Sequence, residues 1–376
     1  MTDTVKLLRE LIALPSINPA FRSPDDVRAG EGRVADFVAV TAARAGLDIH
    51  FQKVLPGRSN LLATLSPSGK VKQRLLLAPH LDTVDVVSEK QFVPRSASGR
   101  IYGRGACDDK GAVAAMLTAL SRLARQGRRP AATEIVFAGL MDEENAQAGS
   151  RALAASGFRA DLAIVGEPTR LQIVTAHKGS LWLRLETHGK AAHGSCPHLG
   201  KNALHEMARI VDLLESAYAR QLQLRRHPLL GIPTINIGFI QGGTQPNIVP
   251  ALCVARADRR TLPGETERSV LAEMNAWLRR HGLLATLTSE KISHCPPLET
   301  DPRLPLVQQF LRIARQKKPA GVNYFCDAAV LAQGGIPSIV FGPGDIAQAH
   351  TADEWISQKS LEAAAALLLK FLRTLP

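Results

Sequence analysis

Residues 75–87 read LLLAPHLDTVDVV, an apolar run that ends on a histidine and an aspartate two positions apart. Side chains at i and i+2 of an extended chain lie on one side. His80 and Asp82 therefore emerge together where residues 75–78 stop looking like core. A solvated loop after a strand gives the same short pattern, so the neighbouring segments have to decide.

Outward from this stretch, residues 1–175 alternate two rhythms. Helical spacing near 3–14 and 30–46 precedes a strand near 60–65. QRLLLAP (73–79) reads as a buried strand, GAVAAMLTALSRLARQG (111–127) as a helix and ATEIVFAGL (132–140) as a second strand. RALAASG (151–157) is helical and LAIVG (162–166) extended. Short apolar strands alternating with helices predict an α/β domain, a mostly parallel sheet with helices on both faces.

The rhythm changes near residue 178. LWLRLETHG (181–189) alternates as a half-buried strand, and NALHEMARIVDLLESAYARQ (202–221) is an amphipathic helix. TINIGFIQGG (234–243) and ALCVARADRR (251–260) are strands, ETERSVLAEMNAWLRRHG (265–282) a helix and LATLTSE (284–290) a last strand. That βαββαβ order is ferredoxin-like. The α/β style returns from 291, with GIPSIVFGPG (335–344) and the closing helix SLEAAAALLLKFLRTL (360–375). The expectation is a larger domain of residues 1–177 and 291–376 carrying an inserted domain of 178–290.

Composition narrows the function. The chain has 376 residues, 45% hydrophobic and 21% charged, without an apolar run long enough to span a membrane. Its N-terminus lacks the basic-then-apolar layout of an export signal, which favours a cytoplasmic location. Five scattered cysteines without a C-x-x-C argue against a disulfide framework or a zinc knuckle. The net charge of +12 comes from dispersed basic residues with few aromatics among them, as in RLARQGRR and RQLQLRRH. Solvated helix faces explain that pattern better than nucleic-acid binding, and an anionic small substrate is compatible with it.

Acids and histidines recur where open sheets bind ligands, at the strand ends. His80 and Asp82 follow one strand, and Asp108 and Asp109 sit in a glycine-flanked loop before a helix. Asp142, Glu143 and Glu144 follow another strand, Glu167 the next, and His350 lies in a late loop. Singly, each has a plain alternative: Asp108 and Asp109 as helix caps, the glutamates as solvated charges, His350 as a surface residue. Together they fit a two-metal site of His, Asp and Glu.

These segments resemble the dinuclear zinc amidohydrolases that include acetylornithine deacetylase, succinyl-diaminopimelate desuccinylase, aminoacylase and carboxypeptidase G. The resemblance runs from the first helix to the last, through H-x-D, G-R-G-x-x-D-x-K-G, D-E-E, G-E-P-T, G-x-x-A-H, G-G-x-x-x-N and G-P-G…A-H-x-x-D-E in order. It implies two zinc ions, replaceable by cobalt, bridged by Asp108. His80 and Glu167 would complete one site, Glu144 and His350 the other. Asp82 would orient the His80 imidazole, and Glu143 would be the general base. The inserted domain would be a lid and dimerisation domain whose His193 serves the partner subunit's site as oxyanion donor. Asn247 and Arg260 would contact the substrate, with Arg260 on its carboxylate.

The chain departs from the family pattern at Asp109, often methionine in relatives, at Gly194, often serine, and at Cys326, often threonine. Cys107, beside Asp108, reads as a packing residue rather than a soft extra ligand. The function implied is hydrolysis of an N-acyl amino acid, acetylornithine deacetylase-like, by a homodimer. Dipeptidase or carboxypeptidase action and desuccinylation use the same chemistry, and a non-catalytic binding protein would have lost part of the set. The strand LWLRLETHG and the helix NALHEMARIVDLLESAY are expected to supply an edge and a face to the dimer interface.

Overall fold

A computed structural model of the chain describes residues 2–23, 25–127, 129–290 and 295–376. They form two compact units, one of 1–175, 300–320 and 326–376, the other of 176–299 and 321–325. The expected return to the larger domain at residue 291 lies outside the described residues.

The first unit opens with helices α1 (Asp3–Ile12) and α2 (Gly32–Ala43) and strands β1 (Asp48–Leu55), β2 (Arg58–Leu65) and β3 (Gln73–Ala78). The short strands β4 (Arg95–Ala97) and β5 (Arg100–Tyr102) precede α3 (Lys110–Arg125), β6 (Thr133–Gly139), α4 (Ala148–Ala155) and β7 (Leu162–Val165). Strand β8 (Val174–His177) leads into the second unit. There β9 (Gly179–His188), α5 (Ala203–Leu213), a π turn, α6 (Ala219–Leu222), β10 (Thr234–Gly242), β11 (Leu252–Thr261), α7 (Glu267–Arg280) and β12 (Thr286–Ser289) follow, then β13 (Leu298–Glu299). The remainder is α8 (Pro305–Ala314), β14 (Ala320–Val322), α9 (Asp327–Gln333), β15 (Ser338–Val340), β16 (Trp355–Ser357) and α10 (Gln358–Leu372).

The centre of the main sheet, β6-β3-β7-β15, is parallel. Its strands are continuous apolar runs because both faces are covered. Helices α1, α3, α8 and α10 share one core, which includes Leu8, Leu11, Val113, Met116, Leu361 and Leu368; α4 and α9 pack together elsewhere in the unit, α9 against β7 and β15. The sheet is mixed rather than mostly parallel, since β1-β2 and β2-β6 are antiparallel, as is β15-β8. Strand β1 escaped the sequence reading because its side chains are largely exposed and carry little apolar pattern. A two-residue turn, Pro56–Gly57, joins it to β2, with Gly57 in the left-handed region at φ 70°.

The second unit has the expected βαββαβ order, with one four-stranded sheet in the order β10-β11-β9-β12. Leu181, Leu183 and Leu185 of β9 pack with Met207 and Ile210 of α5 and Met274 of α7. Strand β9 is therefore not an edge. It pairs with β11 on one side and β12 on the other. Alternation reports that one face of a sheet is covered, which central strands show as well as edges. The long open edge is β10, where Phe239 and Ile240 are exposed.

Candidate metal centre

Three strand ends converge because their neighbours are in register. Leu81 donates to the Leu140 carbonyl at 2.8 Å, which draws the loops after β3 and β6 together. Glu167 follows β7, the other neighbour of β3. Asp108 arrives from the loop before α3 and His350 from the loop before β16. Two groups of side chains result, His80 with Asp108 and Glu167, and Asp108 with Glu144 and His350. In each group the candidate ligand atoms lie within 4.8 Å of one another, and Asp108 belongs to both. His80 Nε2 is 3.0 Å from Asp108 Oδ1, while His350 Nε2 is 3.4 Å from Asp108 Oδ2 and 3.2 Å from Glu144 Oε2.

Asp82 does more than the i, i+2 spacing suggested. His80 Nδ1 lies 3.1 Å from the Asp82 carbonyl and 3.4 Å from its Oδ1. The same carboxylate accepts the backbone N–H groups of Glu143 and Glu144, each at 3.1 Å, so it also fixes the turn that carries both glutamates. Asn18 Nδ2 donates to Asp82 at 2.7 Å and to Asp142 at 3.0 Å, and Arg58 reaches Asp142 at 3.2 Å and Glu31 at 3.1 Å.

The electrostatics are those of an acidic pocket that wants cations. Asp82, Asp108, Asp109, Glu143, Glu144 and Glu167 surround the imidazoles of His80 and His350. Burial pushes Glu143 and Glu167 well above the usual carboxylate range, and neighbouring acids add to it; Glu144 is raised by burial and by Asp108. Burial opposes a charge on His80, but hydrogen bonds to Asp108 and Asp82 outweigh it and raise the imidazole. Hydrogen bonds to Asp108 and Glu144 push His350 up to about 10. Glu144 Oε1 is buried without a hydrogen-bond partner. Imidazole nitrogen and carboxylate oxygen are suitable zinc donors, so the residues present fit a pair of divalent ions that share Asp108.

Asp109 stands at the N-cap of α3 without making the cap bond; its Oδ2 accepts the His80 backbone N–H at 3.2 Å. Cys107 is buried, with Sγ 3.3 Å from the Asp345 carbonyl, and lies outside both groups. Cys326 is the N-cap residue of α9. Glu354 is the residue sequence reasoning overlooked, although it is the last letter of A-H-x-x-D-E. Its buried carboxylate accepts from the backbone of Gly105 at 2.9 Å, Cys107 at 2.7 Å and Asp108 at 3.0 Å, and pairs with Arg104 at 2.7 Å.

His193, Asn247 and Arg260 belong to the second unit. His193 is exposed, and its Nδ1 lies 2.7 Å from Ser195 Oγ. Gly194 donates to the Asn247 carbonyl at 2.7 Å, so the structure brings His193 and Asn247 onto adjacent strands of chain. Arg260 lies on β11, where its Nε donates to Asp258 at 2.9 Å and its guanidinium lies 5.8 Å from the Phe325 ring centre.

Residues 76–374 match the model of peptidase family M20/M25/M40. The chain is 33% identical to acetylornithine deacetylase of Proteus mirabilis (strain HI4320), over 97% of this chain and 94% of that one. It is 31% identical to acetylornithine deacetylase of Edwardsiella ictaluri (strain 93-146), over 98% and 96%. Among solved structures, aminopeptidase PepT from Bacillus cereus superposes with a TM-score of 0.78 at 22% identity, covering 99% of this chain and 97% of that one. An M20 family metallo-carboxypeptidase from Sulfolobus solfataricus gives 0.78 at 20%, covering 99% of each. With its paired acidic and histidine clusters, the chain belongs to peptidase family M20/M25/M40 and is a metal-dependent amidohydrolase of the metallopeptidase class.

Proposed function

We propose that the protein removes the acyl group from an N-acyl amino acid, with an N-acetylated amino acid of the ornithine type as substrate and two zinc ions as cofactors. The observation that carries the reading is the pair of ligand groups sharing Asp108, with Glu143 held beside them. Two relatives above 30% identity, both named acetylornithine deacetylase, support the substrate class.

Bound zinc would polarise the scissile carbonyl and make water a competent nucleophile near neutral pH. His80, Asp108 and Glu167 would hold one ion, and Asp108, Glu144 and His350 the other. Glu143 takes the proton from the attacking water and passes it to the leaving amine. Asp82 keeps the backbone of Glu143 and Glu144 in place. In a homodimer, His193 of one lid donates to the developing oxyanion in the other subunit. Asn247 contacts the substrate, and Arg260 takes its carboxylate with the guanidinium edge that Asp258 leaves free. A cytoplasmic location suits this reading.

The test is a panel of N-acetyl, N-succinyl and dipeptide substrates assayed with zinc or cobalt. The expected result is preferential hydrolysis of N-acetyl amino acids, about two ions per chain, and loss of activity on chelation. Preference for dipeptides overturns the substrate class, and full activity in metal-free protein overturns the mechanism.

A further inference from the structure

Lys178 lies between β8 and β9, two residues before Ser180, which is the register partner of Arg260 on β11. It is 6% exposed. Its backbone N–H donates to the Val322 carbonyl at 3.2 Å, but its ammonium has no hydrogen-bond or ion-pair partner among the described residues. None of the remaining residues, Met1, Pro24, Arg128 and 291–294, is acidic. The stem is buried while Nζ keeps contact with solvent, so the ammonium is held in place without a protein counter-ion and is open to an anion.

The surrounding charges show what is missing. Arg260 is paired with Asp258 at 2.9 Å. Arg259, fully buried, is paired with Glu265 at 2.6 Å. Arg225 bridges Glu265 at 2.6 Å and Glu273 at 2.7 Å. Of these described residues, Lys178, Arg225, Arg259 and Arg260 carry four positive charges against three on Asp258, Glu265 and Glu273. Of the four, Lys178 is the one without a partner among the described residues. Burial lowers its pKa, and Arg260 and Arg259 lower it further, so all three cations are close enough to repel. Ser180 Oγ donates to Asp258 at 3.1 Å and turns that carboxylate toward the same side of the sheet as Arg260.

We propose that Lys178 is a second anchor for the substrate's carboxylate, supplying the net positive charge while the Arg260 fork supplies direction. The inference rests on the reading that the substrate carries a free carboxylate near Arg260. It adds that this end of the substrate bears a single negative charge.

The test compares N-acetylornithine with its carboxamide on the zinc-loaded enzyme and on the Lys178→Met and Lys178→Arg variants. Lys178→Met should raise KM for the carboxylate roughly 10- to 100-fold, the scale for losing a charge-assisted hydrogen bond. It should leave kcat and the carboxamide KM near the wild-type values, and Lys178→Arg should recover most of the loss. Equal shifts for both compounds, or none, overturn the anchor. Calorimetric titration of free ornithine and ornithinamide reads the same discrimination without turnover. If no N-acyl amino acid is hydrolysed, the functional reading fails while the titration still judges Lys178. Should Lys178→Met fail to fold by thermal melting, Lys178→Gln takes its place under the same criteria.

Discussion

Glu143 and Glu144 are sequence neighbours whose surroundings divide their work. The Glu144 carboxylate meets His350 at 3.2 Å, whereas Glu143 is absent from both ligand groups and shares only the Asp82 tether. Glu143→Gln is expected to keep both metals, measured by elemental analysis, while turnover falls about 100-fold or more. Loss of metal with turnover retained would exchange the two roles. Glu354 acts on the backbone rather than on substrate. Glu354→Ala strips the counter-ion from buried Arg104 and leaves three backbone N–H groups unbonded. Breaking a buried pair in this way costs about 3–5 kcal/mol, to be read from urea unfolding alongside metal content. Glu31 gives a pH signature. Burial, with Asp82 nearby, raises its pKa to about 7 against the pull of Arg58. A folded-state value above the unfolded one favours the folded protein below the ordinary carboxyl range, and this advantage disappears as pH rises through 7. Wild-type stability should therefore fall relative to Glu31→Gln between about pH 4.5 and 7; parallel stability curves would remove Glu31 as the source.

At the scale of elements, the strand-end residues were legible because each needs only a local pattern, an apolar run followed by an acid or an imidazole. His80, Glu144 and Glu167 announce themselves in this way, and the fold then sets His80 and Glu167 on one side of Asp108 and Glu144 on the other. Partners that meet through tertiary contact left no such trace. Asn18 reaches Asp82 across 64 positions and Arg58 reaches Asp142 across 84, and neither sits in a pattern that names its partner. The edge role expected for β9 failed because alternation encodes a covered face and not a place in the strand order. The departure at Gly194 has a geometric counterpart. A Cβ there would meet Asn247 Cα at 2.9 Å and its carbonyl at 3.0 Å. Gly194→Ser should push the His193 loop away from Asn247 and reduce kcat/KM about tenfold or more, as misplacement of a positioning group does. An unchanged kcat/KM would show that the loop absorbs the extra atom.

For the whole molecule, every candidate metal ligand falls in the first unit and His193 in the second. The homodimer reading makes a direct demand on this division. Mixing inactive His193→Ala and Glu143→Gln chains should restore activity, because each mixed dimer holds one site with both residues intact. If activity stays absent despite verified subunit exchange, His193 does not serve a partner. Among the described residues no helix is long and apolar enough to cross a membrane. The hold of Glu354 on the loop from Gly105 to Asp108 spans almost 250 positions of chain. Domains form as the chain emerges from its N-terminus, so the ribosome has made Asp108, Glu144 and Glu167 long before the residues that complete their setting. The nascent protein must carry an unbalanced acidic pocket until His350 and Glu354 have been added to it.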